Sequence, residues 1–157
     1  MAVLQWSESL SLELPEMDET HQEFVALLAR VETADDAHLV AAWHALVDHT
    51  VGHFGREDDW MRRTGFSSAN CHTVQHRVVL EVMCEGLVQG LKGQNDAIRQ
   101  MARELAVWFV QHAQTMDAAL ALHLRSVGFD AATGEVRLPQ ALPAEAVRGC
   151  GSAACAT

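Results

Sequence analysis

The sequence predicts an all-α fold: an antiparallel up-down-up-down four-helix bundle with an extended N-terminal arm and a loosely ordered C-terminal tail. Three observations carry that expectation. Apolar residues through the middle of the chain recur three and four positions apart, with no sustained alternation of the kind a half-buried strand needs. None of the three prolines lies between Pro15 and Pro139, so a long stretch is free of helix breakers. Polar and glycine-containing breaks divide that stretch into four segments of roughly 16 to 30 residues with short connections, which sets consecutive helices side by side and antiparallel.

The first helix is expected to begin near Asp18, where Asp18 and Glu19 put negative charge at a helix N-terminus. Its apolar stripe is His21, Phe24, Leu28 and Val31. After a polar break at residues 33–36, the second helix carries Leu39, Trp43, Leu46, Thr50, His53, Glu57 and Trp60, and it stops at Thr64-Gly65. Ser67 and Ser68 are candidate caps for the third, whose stripe is His72, His76, Val79, Met83 and Leu87, with Gly90 and Gly93 at its end. The fourth opens at Asn95-Asp96 and runs through Ile98, Met101, Leu105, Trp108, His112, Thr115, Leu120 and Leu124 to Gly128. Residues 1–17 hold Trp6, Leu10, Leu12 and Leu14, enough apolar surface for an arm packed on the bundle. The bundle with its arm is assigned to residues 1–128 and the tail to residues 129–157.

Composition narrows the partners. With 157 residues, 49% hydrophobic and 20% charged, the chain can bury the core of one globular domain. Its formal charge of -10 repels phosphate backbones and anionic lipid surfaces, which argues against nucleic acid or a membrane as partner. No apolar run reaches the ~18 residues of a membrane span, and the opening residues lack a basic-then-apolar leader pattern. A cytoplasmic protein with free thiols is expected, Cys71 and Cys84 being isolated and Cys150 and Cys155 lying in the small-residue tail.

Against this background, six polar residues stand in apolar stripes: His21, His53, Glu57, His72, His76 and His112, with Asp117 on the flank beyond His112. Burying such groups without partners costs several kcal/mol. Their placement along the helices explains them: early in the first and third helices, late in the second and fourth. In an antiparallel bundle those four places are one level. His53/Glu57 and His72/His76 are i,i+4 pairs that emerge on one face and can reach a common centre. His112 to Asp117 is an i,i+5 spacing that diverges around an α-helix, so Asp117 is expected to reach sideways and bridge two metals. Five imidazoles and two carboxylates exceed what one tetrahedral zinc uses, so two metals are indicated.

This pattern resembles the hemerythrin family, and within it the bacterial single-domain hemerythrins. The resemblance covers roughly residues 4 to 128 and rests on Asp18-Glu19-Thr20-His21-Gln22, His53-Phe54-Gly55-Arg56-Glu57 followed by Met61, His72 with His76, and His112 with Asp117; Trp6 and Trp108 also fit. It implies two iron ions in a non-haem, hydroxo- or oxo-bridged di-iron centre that binds dioxygen. His72, His76 and His112 would hold one iron, His21 and His53 the other, and Glu57 and Asp117 would bridge them. Counting donors then gives a full iron and an iron with one open position for dioxygen.

The chain departs from the family at Val79, where an aromatic residue is frequent, and at Phe109 and Ala113, where aliphatic residues are usual. Trp108, Phe109 and Ala113 are the expected lining of the dioxygen pocket. Among other residues, His49 lies off the stripe of His53 and is not expected to be a ligand, and His38, His44 and His123 are expected at surfaces or helix ends. The function expected is that of an oxygen carrier, store or sensor rather than an enzyme. Alternatives are a di-iron enzyme acting on peroxide or nitric oxide, and an iron-handling protein; zinc or manganese would also suit imidazole ligands. No particular protein partner is implied.

Overall fold

The computed structural model describes residues 3–66 and 71–146. Four helical rods form the bundle: α1 (Pro15–Thr33), α2 (Leu39–Arg63), α3 (Cys71–Leu91), and a fourth made of α4 (Asn95–His112), a π turn (Ala113–Asp117) and α5 (Ala118–Ser126) in unbroken succession. Each rod packs on the next, and α4 closes the ring against α1. Among the described residues there is no strand, only an isolated antiparallel bridge between Phe129 and Val136.

Helix α1 begins at Pro15, three residues before Asp18. A proline suits the first helical turn because its φ is already helical and the missing N–H has no partner there. Asp18 instead clasps the arm: its carboxylate accepts hydrogen bonds from the Ser11 hydroxyl and the Leu12 backbone N–H, both at 2.7 Å. The arm lies on the bundle as expected, with Leu4 and Trp6 against the core and Leu10 and Leu14 buried. Gly65, Gly93 and Gly128 all have positive φ and turn the chain out of α2, α3 and α5. Ser67 and Ser68 fall outside the described residues, as do Cys150 and Cys155.

The core has two apolar layers along the bundle axis. One centres on Phe24, Leu28, Trp43, Leu46, Ile98 and Phe109. The other centres on Met17, Trp60, Met61, Leu120, Leu124 and Phe129. On α1, α2 and the fourth rod, the polar stripe residues fall between the two. Helices α3 and α4 meet closely because α3 offers Gly86 and Gly90: a methyl group at either would collide with Met101 or Ile98. Into the same junction Trp43 sends its indole N–H, which donates to the Met83 carbonyl at 2.9 Å.

Two expectations are corrected. The first part of the tail is folded rather than loose. Arg137 N–H donates to Gly128 O and Leu138 N–H to Val127 O, while Arg137 pairs with Asp130 and Phe129 packs on Trp60. The apolar side chains of Phe129, Val136 and Leu142 explain this, since they cover the lower core layer. Cys71 is not a free thiol but disulfide-bonded, whereas Cys84 is free and exposed.

Candidate metal centre

The i,i+4 spacing and the antiparallel order bring His21 from α1, His53 and Glu57 from α2, His72 and His76 from α3, and His112 and Asp117 from the fourth rod to one place. None of the seven is more than 3% exposed. Their donor atoms form two groups, each within 4.8 Å: Glu57, His72, His76, His112 and Asp117 in one, and His21, His53, Glu57 and Asp117 in the other.

Both carboxylates belong to both groups, and each divides its oxygens between them. Glu57 Oε1 lies 2.9 Å from His53 Nε2 and 3.7 Å from His21 Nε2, while Oε2 lies 3.3 Å from His76 Nε2 and 3.4 Å from His72 Nε2. Asp117 Oδ2 faces His21 Nε2 at 3.2 Å, and Oδ1 faces His72 and His112 Nε2 at 2.9 and 3.1 Å. A carboxylate whose two oxygens address two separate donor sets is arranged to bridge.

Asp117 owes its position to the π turn. In an α-helix the fifth residue on points well away from the first, but the wider π turn closes on an i,i+5 spacing and returns both side chains to one face. The expectation that the two diverge and that Asp117 reaches sideways is therefore corrected.

The electrostatics call for cations. Every ion-pair contact of Glu57 and Asp117 among the described residues is to an imidazole, and none is to Lys or Arg. Without metal, protons must supply the positive charge. Burial opposes a charge on His21, but the facing Asp117 and Glu57 carboxylates outweigh that and raise it to about 10. The same balance raises His72 to about 9. Burial would raise Glu57, yet His53, His21 and His72 hold it well below the carboxylate range. Asp117 is lowered likewise, by His112 and His21 against burial and the Glu57 charge. His112 goes the other way, burial lowering it despite Asp117.

The nitrogens are also spaced for coordination. His76 Nε2 and His112 Nε2 face each other at 3.2 Å. Two ligands about 2.1 Å from one ion at a right angle stand about 3 Å apart. His21 Nε2, His72 Nε2, Glu57 Oε2 and both Asp117 oxygens are buried without a hydrogen-bond partner, so a donor set stands ready with nothing in the protein to satisfy it.

Comparison with known proteins agrees with this geometry. The family described as the Hemerythrin HHE cation binding domain matches residues 13–122. The chain belongs to the hemerythrin family. It is 36% identical to a protein named Bacteriohemerythrin from Ralstonia nicotianae over 131 residues, 83% of this chain and 96% of that one. A Bacteriohemerythrin from Stenotrophomonas maltophilia is 26% identical over 77% of this chain and 81% of its own length, and one from Pseudomonas aeruginosa 25% identical over 75% and 79%. No solved structure matches. The bundle expected of a hemerythrin is the one observed, and no described helix is long and apolar enough to cross a membrane.

The remaining residues sort clearly around the centre. Phe109 meets the His21 ring edge-on at 5.2 Å and stacks on Phe24 at 4.5 Å, with Ala113 buried in the same apolar layer. Trp108 instead stacks on His112 at 4.3 Å, against the three-histidine group. His49 stays outside both groups, bonded to Glu23 at 3.0 Å. His38 and His44 are exposed beside Asp35 and Asp48. His123 ties α5 to the end of α2 through the Thr64 carbonyl at 2.9 Å.

Sequence reasoning named Phe54 within a motif but gave it no role, and missed Asp58 and Gln75. Phe54 lies flat on His76 at 3.9 Å. Asp58 accepts from His76 Nδ1 at 2.8 Å, and the Gln75 side-chain carbonyl accepts from His112 Nδ1 at 3.0 Å. Asp58 and Gln75 each neighbour a stripe residue, Glu57 and His76, which was the available signal.

Proposed function

We propose that the protein binds dioxygen reversibly at a non-haem di-iron centre, as a carrier, store or sensor. His72, His76 and His112 would hold one iron, His21 and His53 the other, with Glu57 and Asp117 shared. The observation that carries this reading is the division of both carboxylates between two imidazole groups of unequal size, three and two. With iron bound, the unequal donor counts would leave the open position beside His21 and His53. When bound, the iron pair supplies the electrons and the coordination position that dioxygen requires.

The chain's own residues govern the rest. Glu57 and Asp117 hold the two subsites at a fixed separation, because both are buried and each is tied to imidazoles on either side. Phe24, Phe109 and Ala113 make the two-histidine side apolar, which excludes water and favours a small uncharged gas over ions. The donor set favours binding over oxidation of a substrate. Five imidazoles with two carboxylates stabilise high-valent iron less than the carboxylate-rich sets of di-iron oxidases.

Iron analysis with absorption spectroscopy tests the proposal. Protein purified in air should contain two irons per chain and oxo-bridge charge-transfer bands; after reduction it should take up dioxygen and regain its deoxy spectrum when the gas is removed. Irreversible oxidation, or steady turnover of peroxide or nitric oxide, would favour the enzymatic alternative.

A further inference from the structure

The two imidazole groups differ in what stands behind them. In the three-histidine group, His76 Nδ1 is bonded to Asp58 and His112 Nδ1 to Gln75. His72 Nδ1 is buried without a partner, and in the two-histidine group neither His21 Nδ1 nor His53 Nδ1 has one. A neutral imidazole has one N–H. An acceptor at Nδ1 fixes that hydrogen there and leaves the Nε2 lone pair aimed at the metal. A buried imidazole with no outer acceptor places its hydrogen at Nε2 toward the inner carboxylate, as His53 does toward Glu57 at 2.9 Å, and a metal at Nε2 must send that hydrogen to an unsatisfied Nδ1. Asp58 adds charge assistance, and it remains 42% exposed, so little desolvation offsets the gain.

We infer that Asp58 and Gln75 are positioning residues that impose an order of metal loading, the three-histidine subsite filling first and the two-histidine subsite second. The inference rests on the two-metal reading above. Donor count points the same way, since the first ion finds three nitrogens, two of them oriented, and the second finds two unoriented ones. Phe54, flat against His76, restricts the ring's rotation and keeps it facing Asp58. Partial loading would then give one defined species, with His72, His76 and His112 occupied and the gas-binding side empty.

Anaerobic titration of the metal-free protein with Co2+ tests this, because cobalt's visible bands report coordination and its paramagnetism shifts nearby imidazole resonances. The wild-type protein should bind two equivalents in separate phases, His76 and His112 shifting in the first and His21 and His53 in the second. Asp58→Asn and Gln75→Leu should each weaken the first phase by about 10–100-fold and leave the second nearly unchanged. Asp58→Glu should restore the first phase, which a merely structural loss would not allow. Gln75→Leu gives an independent reading should Asp58→Asn fold poorly. Movement of His21 and His53 first, or a first phase unaltered in both variants, would overturn the inference. Binding of fewer than two equivalents would instead overturn the two-metal reading beneath it.

Discussion

His112 and Asp117 are five residues apart in sequence, yet His112 Nε2 and Asp117 Oδ1 stand 3.1 Å apart because the backbone between them is a π turn. π turns are rare and concentrate at functional sites. Here the turn sets one carboxylate between all four rods of the bundle.

Replacing Asp117 therefore damages both subsites. Asp117→Asn keeps the shape but removes a charge and an acceptor facing His21, and metal content should fall from two ions per chain toward one. Asp117→Glu adds a methylene where nothing is exposed, and overpacking of this kind costs about 1–3 kcal/mol. Metal analysis and thermal denaturation check the two outcomes.

The metal-free protein should show a distinct pH dependence. His21 at about 10 and His72 at about 9 lie above their ordinary 6.5, so their ion pairs stabilise fully below that value and the contribution is lost as pH rises through about 9 to 10. Metal must displace those protons. Uptake at pH 7 should release about two protons, and affinity should rise with pH. Calorimetry in two buffers of different ionisation enthalpy measures the release; none would contradict the charge balance described above.

One substitution should have opposite signs at two glycines. Gly86→Ala drives a methyl group into Met101 and the Trp43 indole and should cost about 1–3 kcal/mol. Gly55→Ala, on the exposed face of α2 with no atom within 4 Å, should stabilise by about 0.5–1 kcal/mol through helix propensity. Urea denaturation of the metal-free protein decides both.

Phe109 is the residue through which pocket shape should be most adjustable. Phe109→Leu removes the ring that meets His21 and stacks on Phe24. Water should then reach the two-histidine side, and the oxygenated spectrum should decay faster than in the wild type. An unchanged decay rate would place the gas-binding side elsewhere.

The bundle and six of its seven inward polar residues were legible in the sequence because both obey the 3.6-residue period: a histidine within an apolar stripe is conspicuous. What escaped breaks that period or lies outside it. The His112–Asp117 spacing was judged against an α-helix, and nothing in the intervening Ala-Gln-Thr-Met announces a wider turn. Asp58 and Gln75 approach from the flanks, where polar residues are ordinary. The start of α1 was set by Pro15 rather than by the acidic pair, since Asp18 serves the arm. Glycine and alanine content made residues 129–146 look loose, although Phe129, Val136 and Leu142 anchor them. The disulfide at Cys71 had no local sequence signal.

The central claim is that Glu57 and Asp117 join two irons into one centre. Magnetic susceptibility of the oxidised protein, with iron counted on the same sample, tests it most directly. Two ferric ions per chain, coupled antiferromagnetically to a diamagnetic ground state, are the expected result. Two uncoupled high-spin ferric ions, or a single iron per chain, would contradict it.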